Sequence, residues 1–266
     1  QNVQRGLILS TVRRGSVCKM DGPAYMPLPC RKAESMGAEK LLRMADPPSK
    51  HALLCALDEE LEAWGRNPRL ATRLLSSLAR QRRPDVAGLL LECMRDQLVE
   101  VNVFHCSSVM TAYEKVGQWQ AALGLLSSMP AMAAVPDAIS YNAAISCCGK
   151  GSEWKWAMHL LNRMPSVRLS PNQISYCSAI SACAKGSQWQ LALSLLNRMP
   201  AVRLASNEIS YSAAITACER GGQWQVAVNL LRCMPAGMIV PDEISYSATI
   251  SACEKGGQWQ LALSLL

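Results

Sequence analysis

The chain has 266 residues, half of them hydrophobic, and a formal charge of +7, so it has apolar surface enough to fold and is not a disordered polyelectrolyte. No apolar run reaches the roughly 18 residues that a bilayer span requires, which excludes a transmembrane helix as the organising element. The mild basicity is compatible with a nucleic-acid partner without demanding one.

The twelve cysteines include no CxxC pair, so the spacing used by most zinc sites is missing. His51, His105 and His159 are scattered, with no carboxylate or cysteine at metal-ligand or catalytic spacing. No cofactor is implied, and no catalytic constellation is present. The chain opens on Gln1 and stops at Leu266 within a repeating unit, so it reads as a fragment with an apolar end left uncapped.

In chain order, residues 1–67 match nothing else in the sequence. Pro23, Pro27 and Pro29 make their first part loop-like, whereas Ala33–Met44 and Lys50–Trp64 read as helices that cap the rest or derive from decayed units. From there a 35-residue period takes over. Trp119, Trp154, Trp189, Trp224 and Trp259 keep that step, as do Tyr141, Tyr176, Tyr211 and Tyr246, and Met129, Met164, Met199 and Met234. A fixed period of this size signals a solenoid of stacked supersecondary units. The units are residues 68–102 (degenerate, with Pro84 where tryptophan belongs), 103–137, 138–172, 173–207, 208–242 and the truncated 243–266.

Each unit reads as two helices. In the first, Tyr141, Ala144, Ile145 and Cys148 fall at i, i+3, i+4 and i+7, one apolar stripe. Lys150 and Gly151 are expected to end it, the glycine by turning left-handed. In the second, Trp154, Ala157, Leu161 and Met164 share a face, and Pro165 is expected to stop the ladder. The small residue recurs at Ala122, Ala192, Ala227 and Ala262, where it permits close helix contact. Cys148, Cys183, Cys218 and Cys253 occupy one recurring slot and read as reduced, buried side chains. The whole is an array of αα-hairpins.

The pattern "ISYN", then "KG", the second-helix alanine, "LL", methionine and a closing Pro-Asp or Pro-Asn, at an unbroken period of 35, resembles the pentatricopeptide repeat. The tetratricopeptide repeat, with period 34 and a different tryptophan–tyrosine opening, fits less well. The resemblance covers residues 103–266 strongly and 68–102 weakly. It implies an all-α, right-handed superhelical α-solenoid of helix-turn-helix repeats that binds single-stranded RNA at about one base per repeat. It also implies a mitochondrial or chloroplast setting, with roles in RNA processing, editing, stability or translation. The H-x-E plus CxxC signature of a deaminase is missing from this chain.

By the same resemblance, the fifth and last residues of each unit read the base. These are Thr72 with Asn102, Ser107 with Asp137, Asn142 with Asn172, Cys177 with Asn207, Ser212 with Asp242, and Ser247 alone. Phe104, Ile139, Ile174, Ile209 and Ile244 would sandwich bases, and Lys115, Lys150, Lys185, Arg220 and Lys255 would contact phosphates. The implied target runs 5′-A-G-(C/U)-?-G-purine-3′, with the base at Cys177 undefined because a thiol is a weak hydrogen-bond partner.

Helical geometry supports the placement independently: Ile139, Asn142 and Ser146 lie roughly 130° from the core stripe, on a second face expected to be exposed and aligned from unit to unit. Simpler structural roles account for the same residue types. Asp and Asn before a helix are ordinary N-caps, and a basic residue at a helix C-terminus complements the dipole. The tryptophans, with apolar partners at i+3 and i+7, read as packing between units, and Trp156 as surface or inter-unit filler. Two alternative functions use the same frame: a protein-binding scaffold, and the RNA-targeting part of a longer protein with an enzyme domain downstream.

Overall fold

The computed structural model describes residues 49–265. The loop and the Ala33–Met44 helix expected before residue 49 lie outside the described residues. Ser49 opens helix α1 (Lys50–Arg66), its Oγ accepting the Ala52 N–H at 3.2 Å. Leu53, Leu57, Leu61 and Trp64 line the buried side of α1 against α2 (Pro68–Arg80) and α3 (Pro84–Asp96). An ion pair between Lys50 and Asp96 adds a surface tie between α1 and α3.

The remaining chain is a succession of helix pairs. These are α4 (Val103–Val116) with α5 (Trp119–Ser128), α6 (Ala138–Lys150) with α7 (Trp154–Arg163), and α8 (Gln173–Lys185) with α9 (Trp189–Ala201). They continue with α10 (Glu208–Arg220) and α11 (Trp224–Ala236), then α12 (Glu243–Lys255) and α13 (Trp259–Ser264). The first helices α2, α4, α6, α8, α10 and α12 pack one on the next in a continuous inner row. Each second helix from α3 to α11 lies against the first helix of its own pair and that of the following pair. This two-row α-solenoid of stacked αα-hairpins is the fold that the period predicts.

The core runs between the two rows. Tyr141, Ala144, Ile145 and Cys148 of α6 are all buried, as the stripe requires. The second helices contribute Ala122, Ala157, Ala192 and Ala227, which are fully buried, with Met129, Met164, Met199 and Met234 beneath them. Each such methionine contributes about 1.5–3 kcal/mol by leaving water. Cys148, Cys183, Cys218 and Cys253 are buried free thiols, and burial pushes the first three up to about 11.

The tryptophans join one hairpin to the next. Trp119, Trp154, Trp189 and Trp224 lie against Gly151, Gly186, Gly221 and Gly256, the residues that follow the next first helix. A Cβ on any of these glycines would fall 2.3–2.5 Å from the indole Cδ1. This corrects the expected role of Gly151: its φ is −79°, and the left-handed residue is its neighbour Ser152, at 62°. Glycine is there for close approach, and the chain carries an internal control. Val116, the last residue of α4, takes the corresponding position and is exposed, in the one hairpin preceded by Pro84 in place of a tryptophan.

Proline also behaves differently from expectation. Pro165 starts a single 3-10 turn, Pro165–Val167, but Pro200 and Pro235 lie inside the last turns of α9 and α11. Near a C-terminus proline forfeits one ladder bond and the helix survives it. The stop comes three residues later, where Arg168, Arg203 and Met238 turn left-handed. The next N–H, of Leu169, Leu204 or Ile239, then closes on the carbonyl of Met164, Met199 or Met234 at 2.9 Å.

Candidate nucleic-acid interface

The residues singled out by the period gather along one seam of the inner row. Asn102, Asp137, Asn172, Asn207 and Asp242 are N-caps of α4, α6, α8, α10 and α12. Each side-chain oxygen accepts the N–H three residues on, at 2.8–3.0 Å. In three of these caps, at Asn102, Asn172 and Asn207, the third helical residue reaches back to the cap N–H. That residue is Ser175 or Ser210 in the later hairpins and His105 in the first. His105 Nδ1 accepts from the Asn102 N–H, and its Nε2–H donates to the Pro68 carbonyl at 2.9 Å. This fixes the neutral tautomer, and burial pushes the imidazole below its ordinary range.

Three of the fifth-position side chains are buried, which corrects the exposure expected of them, while Thr72 and Ser107 are half-buried and Ser247 is exposed. Asn142, Cys177 and Ser212 are only 8, 8 and 6% exposed. The cause is the following hairpin, whose cap region covers them. Asn142 Nδ2 donates to Asn172 Oδ1 at 3.2 Å, and Ser175 Oγ donates to Asn142 Oδ1 at 2.6 Å. The Cys177 thiol points at Asn207 Oδ1 from 3.5 Å. Ser107 reaches Asp137 through a relay, its hydroxyl 3.3 Å from Ser140 Oγ, which donates to Asp137 Oδ1 at 2.8 Å.

The other fifth residues do not reach a cap. Ser212 bonds back to the Glu208 carbonyl at 2.8 Å, and Thr72 to that of Pro68 at 3.2 Å. Ser247, the exposed fifth residue of the last hairpin, bonds to the Ile244 carbonyl. The recurring buried serines Ser140 and Ser175, wedged between one hairpin's fifth residue and the next cap, are the members that sequence reasoning missed as part of the site. Their signal was a serine three places after Asp137, Asn172, Asn207 and Asp242, with His105 in that place after Asn102.

Beside this seam the apolar residues do stand out. Phe104, Ile139, Ile174, Ile209 and Ile244 are 57–71% exposed although each is large and hydrophobic. Ile174 and Ile209 flank Cys177 and Asn207 in a pocket of about 430 Å³ that also takes in Ser181, Lys150 and Lys185. A similar hollow of about 350 Å³ holds Thr72, Phe104, Ser107 and Lys115. The larger cavity, about 540 Å³ between α5 and α7, lies on the outer row around Trp119, Leu123 and Trp156 and contains none of the predicted site residues. Trp156 is half-exposed there, edge-to-face with His159 at 5.7 Å.

The basic row is uneven. Lys150 and Lys255 pair with Glu114 and Glu219 of the preceding first helices, at 3.2 and 2.5 Å. Lys185 is half-buried in the pocket above. Burial, and then the charges of Lys150 and Arg220, hold its ammonium below the ordinary lysine range. No group of three or more potential metal ligands occurs among the described residues.

A solenoid of αα-hairpins, with one polar seam position and one exposed apolar wall per hairpin, defines a helical-repeat class of protein. Comparison with known families then places it within that class. The PPR repeat family matches residues 136–185, the pentatricopeptide repeat domain matches 89–151, and the PPR repeat matches 174–202, 209–236 and 244–266. The chain belongs to the pentatricopeptide repeat family.

No curated protein sequence matched. Among solved structures, the chain is similar to the pentatricopeptide repeat protein PPR10 in complex with an 18-nt psaJ RNA element. The TM-score is 0.64 at 19% identity, over 90% of this chain and 36% of that one. PPR10 from maize aligns at a TM-score of 0.49 and 21% identity, over 83% of this chain and 39% of that one. The PPR domain of Arabidopsis thaliana protein-only RNase P 1, in complex with tRNA, gives 0.49 and 16%, over 58% and 83%. The chain thus spans little more than a third of the PPR10 chain, and at these identities the likeness concerns the fold.

Proposed function

We propose that the chain is a sequence-selective single-stranded RNA-binding protein without catalysis of its own, reading about one base per hairpin on organellar transcripts. One observation carries this reading. Ile174 and Ile209, from consecutive hairpins, wall a pocket whose floor is the fifth-and-last pair Cys177 and Asn207. An unstacked base needs two apolar faces and a polar edge partner, and the pocket offers both. The Asn142–Asn172 hydrogen bond supports the same pairing one hairpin earlier.

The chemistry of each pair sets its preference. Asp only accepts, so the hairpins ending in Asp137 and Asp242 favour a base edge that donates, as guanine does. Asn both donates and accepts, and the Asn142–Asn172 pair is assigned to a pyrimidine. Processing, stabilisation, editing or translation of a bound organellar RNA are the roles such a reader serves.

The test is selection from a random single-stranded RNA pool. Enrichment of A-G-pyrimidine-N-G-purine is the expected result. Absence of binding at low salt, or binding indifferent to sequence, would overturn the reading.

A further inference from the structure

The second helices pack on the inner row instead of on one another, so a groove runs between α5 and α7. Its volume of about 540 Å³ falls within the range of about 300–1,000 Å³ that ligand pockets occupy. One wall is a stripe of α5, Gln120, Leu123, Gly124 and Ser127, at i, i+3, i+4 and i+7. The other wall is Trp156, His159, Leu160 and Arg163 of α7, in the same spacing. Pro130 and Val135, from the loop that follows α5, also line it.

Two departures from the 35-residue period meet at this one groove. Gly124 leaves its floor open, with nothing within 4 Å of the place a Cβ would take. His159, Ser194 and Asn229 fill that place in the later second helices. Trp156 supplies a broad apolar flank where α9 and α11 have Leu191 and Val226. The surface is also nearly uncharged. Trp156 is 44% and Val135 75% exposed, and no charged residue lies between Lys115 and Asp137. Of the described residues that line the groove, Arg163 alone carries a permanent charge. No carboxylate among the described residues pairs with it.

We infer that the α5–α7 groove docks a short segment of a partner protein, one carrying a large apolar anchor with an Asp or Glu beside it. The anchor lies against Trp156 and Leu123, over Gly124, and the carboxylate takes Arg163 in a charge-assisted pair. From Trp156 to Arg163 the helix rises about 10 Å, a span of about three extended residues. Charge decides the kind of partner. A single-stranded nucleic acid needs a track of cations along its phosphates, and this groove has one. Tryptophan and arginine around an apolar recess are instead the composition of a protein–protein hot spot. The groove belongs to the outer row and holds none of the base-reading residues, so the inference goes beyond the RNA reading and does not depend on it.

The probe is a random peptide display library panned against the full chain, followed by fluorescence anisotropy of the enriched peptides. Peptides that pair an aromatic or leucine anchor with Asp or Glu should be enriched. Trp156→Ala and Gly124→Leu, both at exposed positions, should each weaken their binding about tenfold or more without lowering the melting midpoint. Arg163→Glu should reverse the preference, so that basic peptides outbind acidic ones. Binding of single-stranded RNA carrying A-G-pyrimidine-N-G-purine should be the same in all three variants as in wild type. The docking site is refuted if no peptide is enriched, if the variants bind the enriched peptides as wild type does, or if they lose RNA instead. Failure of wild type to bind RNA would remove the function proposed above and leave the peptide result standing.

Discussion

Trp154 and Gly186, from consecutive hairpins, are in contact so close that a Cβ on the glycine would sit 2.3 Å from the indole Cδ1. The same contact recurs at Trp119, Trp189 and Trp224, and is replaced at Pro84 and Val116, so it is the fastener of the array. Gly186→Ala must therefore displace the indole or separate two hairpins, at a cost of about 1–3 kcal/mol. Thermal melting followed by far-UV circular dichroism should show a lowered midpoint. Gly65→Ala, where nothing lies within 4 Å, is the matched control and should be neutral or stabilising.

Exchange of a reader pair tests the seam directly. Asn142→Ser combined with Asn172→Asp should move the third base from pyrimidine to guanine in a binding selection, with the other positions unchanged. Aspartate caps α8 as asparagine does, so the cap should hold, whereas loss of the buried Asn142 hydrogen bonds to Asn172 and Ser175 should cost about 1–3 kcal/mol. Unaltered preference at that one base would remove the role given to the pair.

His105 makes the first cap sensitive to acid. Its folded-state pKa lies below the ordinary value of 6.5, so the folded chain binds this proton less readily than the unfolded one. The stabilisation it gives is whole above about 6.5 and declines as pH falls through that value toward the depressed one. Hydrogen exchange of the α2 and α4 amides should accelerate between about pH 7 and about pH 5 beyond its intrinsic pH dependence. His105→Ser, which installs the serine used by the other hairpins, should abolish that excess.

Thiol chemistry should separate two classes of cysteine. Burial keeps Cys148, Cys183 and Cys218 protonated at neutral pH, whereas Cys55 and Cys233 are exposed. Alkylation at about pH 8 with peptide mapping should label Cys55 and Cys233 in the folded chain, and the other three only after denaturation. Equal labelling of all five in native conditions would contradict the packing described for the core.

The sequence made legible whatever repeats within one hairpin. The stripe at Tyr141, Ala144, Ile145 and Cys148, the alanine and methionine of the second helix, and the Asp or Asn before each first helix follow from spacing alone. What stayed hidden lies between hairpins. Asn142 reads as an exposed polar residue on its own helix, and only the stacking of α8 buries it beneath Asn172 and Ser175. The glutamates Glu114 and Glu219 carry no period, since Gly149 and Ala184 interrupt them, and their partners are more than thirty residues away. The glycine after α6, α8, α10 and α12 was visible, but its cause was a tryptophan in the previous hairpin instead of its own dihedral angle.

The caps at Asn102, Asp137, Asn172, Asn207 and Asp242 carry a consequence for how such a chain can diversify. A residue that must begin a helix is drawn from a short alphabet, chiefly Asn, Asp, Ser and Thr. On the proposed reading those same atoms face the ligand, so mutation there is filtered first by folding and only then by binding. Two of the permitted letters differ in hydrogen-bonding character and scarcely in cap strength. Drift between them leaves the fold intact while the message it recognises is rewritten.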